Sequence, residues 1–201
     1  MYENTVISCP CPNHTGVPPK RLVLSASKCG PTEAILNIVD NSKLKNEVSF
    51  TVCLHKAFIN NYNDSRELIE WIEMNRILGA QRFLIYNFRS GSAIVPFLNH
   101  YIEEGLVELH DWPIQKFKDD LPPYRGQGAL INDCVYRAMY KSKYLILIDI
   151  DEMIVPQRVD SWAQALVDLP KCQGKDSVLV RNSFFPKYYV DKSPDLSGVE
   201  S

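Results

Sequence analysis

Asp149, Asp151 and Glu152 place three carboxylates within four positions, directly after the apolar run Tyr144-Leu-Ile-Leu-Ile148. A run of this kind reads as a strand buried on both faces. An unpaired buried carboxylate costs several kcal/mol, so the acids must sit in the open at the strand's carboxyl end, where ligands bind in open α/β sheets. If the chain stays extended, alternation puts Asp149 and Asp151 on one side, both within reach of a hard cation. Mn2+, or Mg2+, held there could bridge a diphosphate and neutralise charge as it leaves. The competing structural reading is that both Asp residues cap a helix or make turn hydrogen bonds. Phosphatases with an Asp nucleophile also carry Asp-x-Asp after a strand, but with Thr or Val two places beyond the second Asp and on the first strand of the domain. Here Met153 follows, with about three strands before it.

The segment ahead of this strand holds further candidates. Leu130, Ile131, Cys134, Val135, Ala138 and Met139 recur at helical spacing as one apolar stripe, leaving Asn132, Asp133, Tyr136, Arg137 and Tyr140 opposite. That polar side reads equally as a solvated face with an Asp133–Arg137 pair or as the lining of a cleft entered through Arg125-Gly126-Gln127-Gly128, where glycines permit close backbone approach and a helix N-terminus favours phosphate. His55, Lys56, Asn60 and Asn61 follow an earlier strand at its carboxyl end and read as nucleotide contacts or simply as a turn. Trp71, Trp112 and Trp162 read first as packing residues; Trp112 opens a loop and could stack on a sugar.

These groups need elements to hold them. Strands are expected over 48–54, 82–86, 106–110, 144–148 and 177–184, and helices over 65–78, 92–104, 127–141 and 161–169. Asp64 or Ser65 would cap the first helix, and Gly79 lies just past its end. Alternation of strand and helix predicts a mostly parallel sheet with helices on its faces. Residues 1–46 differ in texture, with clustered Pro and Cys and two β-like runs, 21–26 and 34–39, and read as a small β-rich N-terminal module. Residues 111–125, with Pro113, Pro122 and Pro123, form a long irregular connection of the sort that is usually functional.

Composition narrows the function classes. The 201 residues are 45% hydrophobic and 23% charged with net charge −2, a balance that supports one ordinary core and offers no basic excess for nucleic acid. No apolar stretch approaches the ~18 residues of a membrane span, and no signal peptide is visible. Six cysteines and two Asn-x-Ser/Thr acceptor sites, at Asn13 and Asn63, point to the secretory route. Cys9, Cys11 and Cys29 are expected to take part in disulfides rather than a zinc site, since only His14 lies near as a further ligand. Cys53 and Cys134 read as buried small hydrophobes.

Together these features resemble glycosyltransferase family 92. The matching pieces are Phe50-Thr-Val-Cys53-Leu, the helix Leu68 to Leu78 with Gly79 and Phe83-Leu-Ile-Tyr86, Tyr101 to Gly105-Leu-Val-Glu-Leu and Trp112, Tyr124-Arg-Gly-Gln127, Asn132-Asp-Cys134-Val-Tyr-Arg137 and Ile148-Asp-Ile-Asp-Glu152-Met-Ile-Val-Pro156. The resemblance implies the GT-A nucleotide-diphospho-sugar transferase fold over residues 47–201, incomplete at its C-terminal end. It implies inverting transfer of a hexose, with galactose from UDP-galactose as the expected case, to a glycan acceptor. Asp149 and Asp151 would hold Mn2+, and Arg125, Gln127, Asn132, Asp133 and Glu152 would join them around the nucleotide sugar. Family members normally begin with a membrane anchor, which this chain lacks, so a Golgi membrane protein of type II orientation is the expectation for the intact form. The acceptor-side carboxylate base is unassigned. The alternative is a nucleotide- or glycan-binding protein without turnover.

Overall fold

Val48–Leu54 is the strand about which the molecule is built, because its alternate residues serve two different cores. In the computed structural model, which describes residues 19–28, 30–55, 62–88, 90–113, 126–168 and 177–184, two short strands, β1 (Arg21–Leu24) and β2 (Ala34–Asn37), pair antiparallel. The main unit then runs β3 (Val48–Leu54), α1 (Ser65–Leu78), β4 (Arg82–Asn87), α2 (Val95–Glu103), β5 (Val107–Asp111), α3 (Gln127–Ala138), β6 (Ser142–Ile148) and α4 (Trp162–Asp168). Strands β5-β4-β3-β6 form a parallel sheet in that spatial order. Phe50, Val52 and Leu54 of β3 join Phe83, Ile85, Val107 and Ile148 on one face, against Leu68, Trp71 and Ile72 of α1, Leu98 and Tyr101 of α2, and Trp162 of α4. Cys53, Leu84 and Tyr86 point the other way, onto Leu130, Cys134 and Ala138 of α3. The result is helices on both faces of a parallel sheet, as the alternation of elements requires.

The helix ends follow local chemistry. The Asp64 carboxylate accepts from the Glu67 N–H at 3.0 Å, capping α1, and Gly79 ends the helix at φ +121°, a conformation that favours glycine. Helix α3 ends at Ala138, short of the expected Lys141, where Met139 turns to ψ 130°; Tyr140 follows at φ +65° and its carbonyl accepts from the Asn46 N–H at 2.8 Å.

Four expectations are corrected. Strand β6 is not covered on both faces by the described residues: among them it pairs only with β3, at the edge of the described sheet, and Tyr144 and Leu147 are each 38% exposed. A continuous apolar run signals a strand without saying which neighbours cover it. The stripe on α3 is narrower than expected, since Leu130, Cys134 and Ala138 are buried while Val135 and Met139 are exposed. The segment 177–184 forms no strand and is exposed throughout, for β-propensity supplies no pairing partner. Cys53 and Cys134 are not free thiols but a disulfide joining β3 to α3, with Cα atoms 6.5 Å apart. Cys9, Cys11 and Cys29 lie outside the described residues. Trp71 and Trp162 are core residues, and Trp112 packs edge-on against Tyr86. No helix among the described residues is long and apolar enough to cross a membrane.

Candidate metal centre at the strand ends

The strand order reverses at β3: the chain passes from β3 through β4 to β5 on one side, then crosses by α3 to place β6 on the other. In open parallel sheets such a switch point opens a crevice beyond the carboxyl ends of the two adjoining strands. Leu54 of β3 is in register with Ile148 of β6, so the next residues, His55 and Asp149, emerge side by side at its mouth.

Beyond β6 the chain turns instead of staying extended. The Glu152 N–H donates to the Asp149 carbonyl at 3.1 Å, while the Glu152 carboxylate curls back to accept from the Asp149 N–H at 3.0 Å. The turn is anchored from below, where the Trp71 indole N–H of α1 donates to the Asp149 carbonyl at 2.9 Å. Farther on, Trp162 Nε1 donates to the Ile154 carbonyl at 2.7 Å and holds the exit path. This geometry removes the premise of simple alternation: Glu152, not Asp151, folds toward Asp149, and Asp151 is exposed.

His55 completes the group. Its Nε2 lies 3.7 Å from Asp149 Oδ1 and 3.8 Å from Glu152 Oε2, and the ligand atoms of the three residues all lie within 4.8 Å of one another. Its Nδ1 is 2.8 Å from the amide nitrogen of Gln127, the first residue of α3. That helix is entered through Gly126, whose φ of +77° is a glycine conformation. Thus the ends of β3, β6 and α3 converge on one half-buried cluster.

The remaining residues singled out in the sequence fall elsewhere. Asn132 is exposed and its amide donates to the Gly128 carbonyl one turn back, at 2.9 Å. Asp133 is engaged beneath α3, accepting from Tyr86 Oη at 2.8 Å and Arg137 Nε at 2.5 Å. Burial first, then that bond to Asp133, pushes the Tyr86 phenol above its ordinary range; for Arg137 burial, the largest single influence, opposes the charge, but Asp133 and Tyr86 together outweigh it and raise the guanidinium's pKa. The Asp133–Arg137 pair expected of a solvated face is therefore present, with a buried tyrosine added. Arg125, Lys56, Asn60 and Asn61 lie outside the described residues, as does Asn13. Asn63 is exposed, its side-chain oxygen accepting from the Ala93 N–H at 2.7 Å.

One imidazole and two carboxylates form a donor set suited to a divalent cation of intermediate softness. Two ligands each roughly 2.1 Å from one ion are at most about 4.2 Å apart; the separations of 3.7 and 3.8 Å from His55 fall inside that span, and the set as a whole lies within 4.8 Å. His55 followed the first main strand in sequence, but its company with Asp149 and Glu152 depends on strand order, which no local pattern encodes.

Residues 48–197 match the family model described as Glycosyltransferase family 92. The chain is similar to the Caenorhabditis elegans beta-1,4-galactosyltransferase galt-1, at 29% identity over 55% of this chain and 26% of that protein. It is also similar to the Arabidopsis thaliana galactan beta-1,4-galactosyltransferase GALS2, at 25% identity over 84% of this chain and 36% of the relative. A third relative, the C. elegans glycosyltransferase family 92 protein F13G3.3, is 27% identical over 48% of this chain and 21% of its own length. The matched segments thus span well under half of these relatives.

Proposed function

Because the chain belongs to glycosyltransferase family 92, we propose that it forms the donor-binding part of a cation-dependent hexosyltransferase with a GT-A-like fold, using UDP-galactose as donor and a glycan as acceptor. The observation that carries this reading is the His55, Asp149 and Glu152 cluster at the switch point of a parallel sheet. The galactosyltransferase names of galt-1 and GALS2 support the choice of donor.

Asp149 and the turn to Glu152 would hold a divalent cation, Mn2+ in the first instance, with Asp151 exposed beside them. When bound, such a cation offsets the charge of the departing diphosphate. The protein's own work is positional. Trp71 fixes the Asp149 backbone, Gln127 orients His55, and the disulfide ties β3 to α3 so that the ends bearing these residues keep their spacing. In the reaction the acceptor hydroxyl oxygen bonds to the anomeric carbon from the face opposite UDP. The bond from that carbon to the phosphate oxygen breaks, its electron pair leaves with UDP, and the hydroxyl proton passes to a carboxylate base on the acceptor side.

A lumenal address in the Golgi accords with the Cys53–Cys134 disulfide, since such bonds persist in oxidising compartments, and with the exposed acceptor site at Asn63. The test is UDP release from UDP-galactose with and without β-linked galactose acceptors, in Mn2+ or in a chelator. Cation-dependent release stimulated by acceptor supports transfer. Donor binding with neither hydrolysis nor transfer favours the alternative of a nucleotide-binding protein without turnover.

A further inference from the structure

We propose that His55 is a nitrogen ligand of the divalent cation, completing a set with Asp149 and Glu152, and that Gln127 is the positioning residue that fixes its tautomer. This rests on the preceding reading that a cation serves the site, and adds to it a ligand from β3.

The distances favour an ion over a direct contact. A charge-assisted hydrogen bond from an imidazole to a carboxylate runs ~2.7–2.9 Å. His55 Nε2 instead stands 3.7 and 3.8 Å from its two carboxylate oxygens, too far to hydrogen-bond either and within the span of two ligands on one ion. Ligand atoms from two different strand ends gather within 4.8 Å of one another. The repulsion between the Asp149 and Glu152 carboxylates in a half-buried cluster is relieved by positive charge between them.

The other ring nitrogen supplies the second argument. A ligating His needs its far nitrogen protonated and held by an outer partner, which fixes the ring and leaves the near lone pair for the metal. Gln127 sits 2.8 Å from Nδ1 and comes from α3, outside the cluster. A Gln side chain can present its carbonyl oxygen to an Nδ1–H by turning its amide over, so the pair accommodates the tautomer that metal binding requires. A nitrogen donor also sets selectivity: it favours a first-row transition ion, of which Mn2+ is the weakest binder, over Mg2+ and Ca2+, which take oxygen ligands.

The experiment is Mn2+ titration by calorimetry together with pulsed electron paramagnetic resonance, which detects a nitrogen bonded to Mn2+ directly. Wild type should bind Mn2+ more tightly than Mg2+ and show nitrogen coupling. Gln127→Ala should weaken Mn2+ binding roughly 10–100-fold, the usual cost of losing an outer-shell partner, and Gln127→Glu should restore it because a carboxylate accepts from Nδ1–H. His55→Ala should weaken binding at least as much and abolish the coupling. Should His55→Ala fail to fold, the wild-type spectrum still decides. Mn2+ binding without nitrogen coupling overturns the role of His55 while leaving the cation reading intact; absence of any Mn2+ binding by folded wild type overturns both.

Discussion

Cys53 and Cys134 are bonded to each other across β3 and α3, the two elements whose ends carry the His55 and Gln127 contact. The bridge closes a loop of 81 residues in sequence, and chain-entropy arguments assign such a loop roughly 4 kcal/mol of stabilisation, with measured losses on removing native bridges of about 2–5 kcal/mol. The Cys53→Ala, Cys134→Ala double variant should therefore unfold at markedly lower urea concentration than wild type under oxidising conditions, and the two should converge in reductant. An unchanged urea midpoint would show that the bridge does not constrain the fold.

Trp71 links the core to the site. Its indole N–H donates to the Asp149 carbonyl while its ring lies 2% exposed among Phe83 and the α1 residues. Trp71→Phe keeps much of the packing but removes one of the two hydrogen bonds that the Asp149 carbonyl accepts, a change worth about 0.5–1.5 kcal/mol in stability. Denaturant unfolding should register that loss, and Mn2+ affinity should fall in the same variant because the Asp149 turn loosens. Loss of stability with unaltered Mn2+ affinity would confine Trp71 to a packing role.

Glu108 on β5 is half-buried beside His110, Lys141 and Arg82. His110 first, then Lys141 and Arg82, hold its pKa down to about 2 against desolvation, from an ordinary 4.5. The folded-state value lies below the unfolded one, so the carboxylate's contribution is complete above about 4.5 and is lost as pH falls from there toward about 2. Acid unfolding of wild type should steepen across that window, and Glu108→Gln should be less stable at neutral pH with a shallower slope below 4.5. Parallel acid profiles for the two proteins would contradict this assignment.

What could be read from the sequence was local. The Asp64 cap and Gly79 stop delimit α1 at Ser65–Leu78, and alternation delimits β3 at Val48–Leu54, as expected. The acids after Ile148 lie at a strand end, as expected, but only Asp151 is in the open there, while Asp149 and Glu152 are half-buried. Long-range relations were not legible. The edge position of β6 and the meeting of His55 with Glu152 both follow from strand order, and the Cys53–Cys134 bond follows from α3 crossing the face opposite α1. The preference for Glu152 over Asp151 beside Asp149 arises from a tight turn, whereas alternation presumes extended backbone.

The account stands most directly on Asp149. Calorimetric titration of UDP into wild type and Asp149→Asn, each with Mn2+ and with a chelator, measures the claim that the strand-end cluster joins cation and nucleotide. Circular dichroism would verify that the variant is folded. The account predicts that Mn2+ tightens UDP binding to wild type by at least about tenfold, equivalent to roughly 1.4 kcal/mol, and that Asp149→Asn abolishes the Mn2+ effect. UDP binding to wild type that is indifferent to Mn2+, or a Mn2+ effect that survives intact in folded Asp149→Asn, would contradict it.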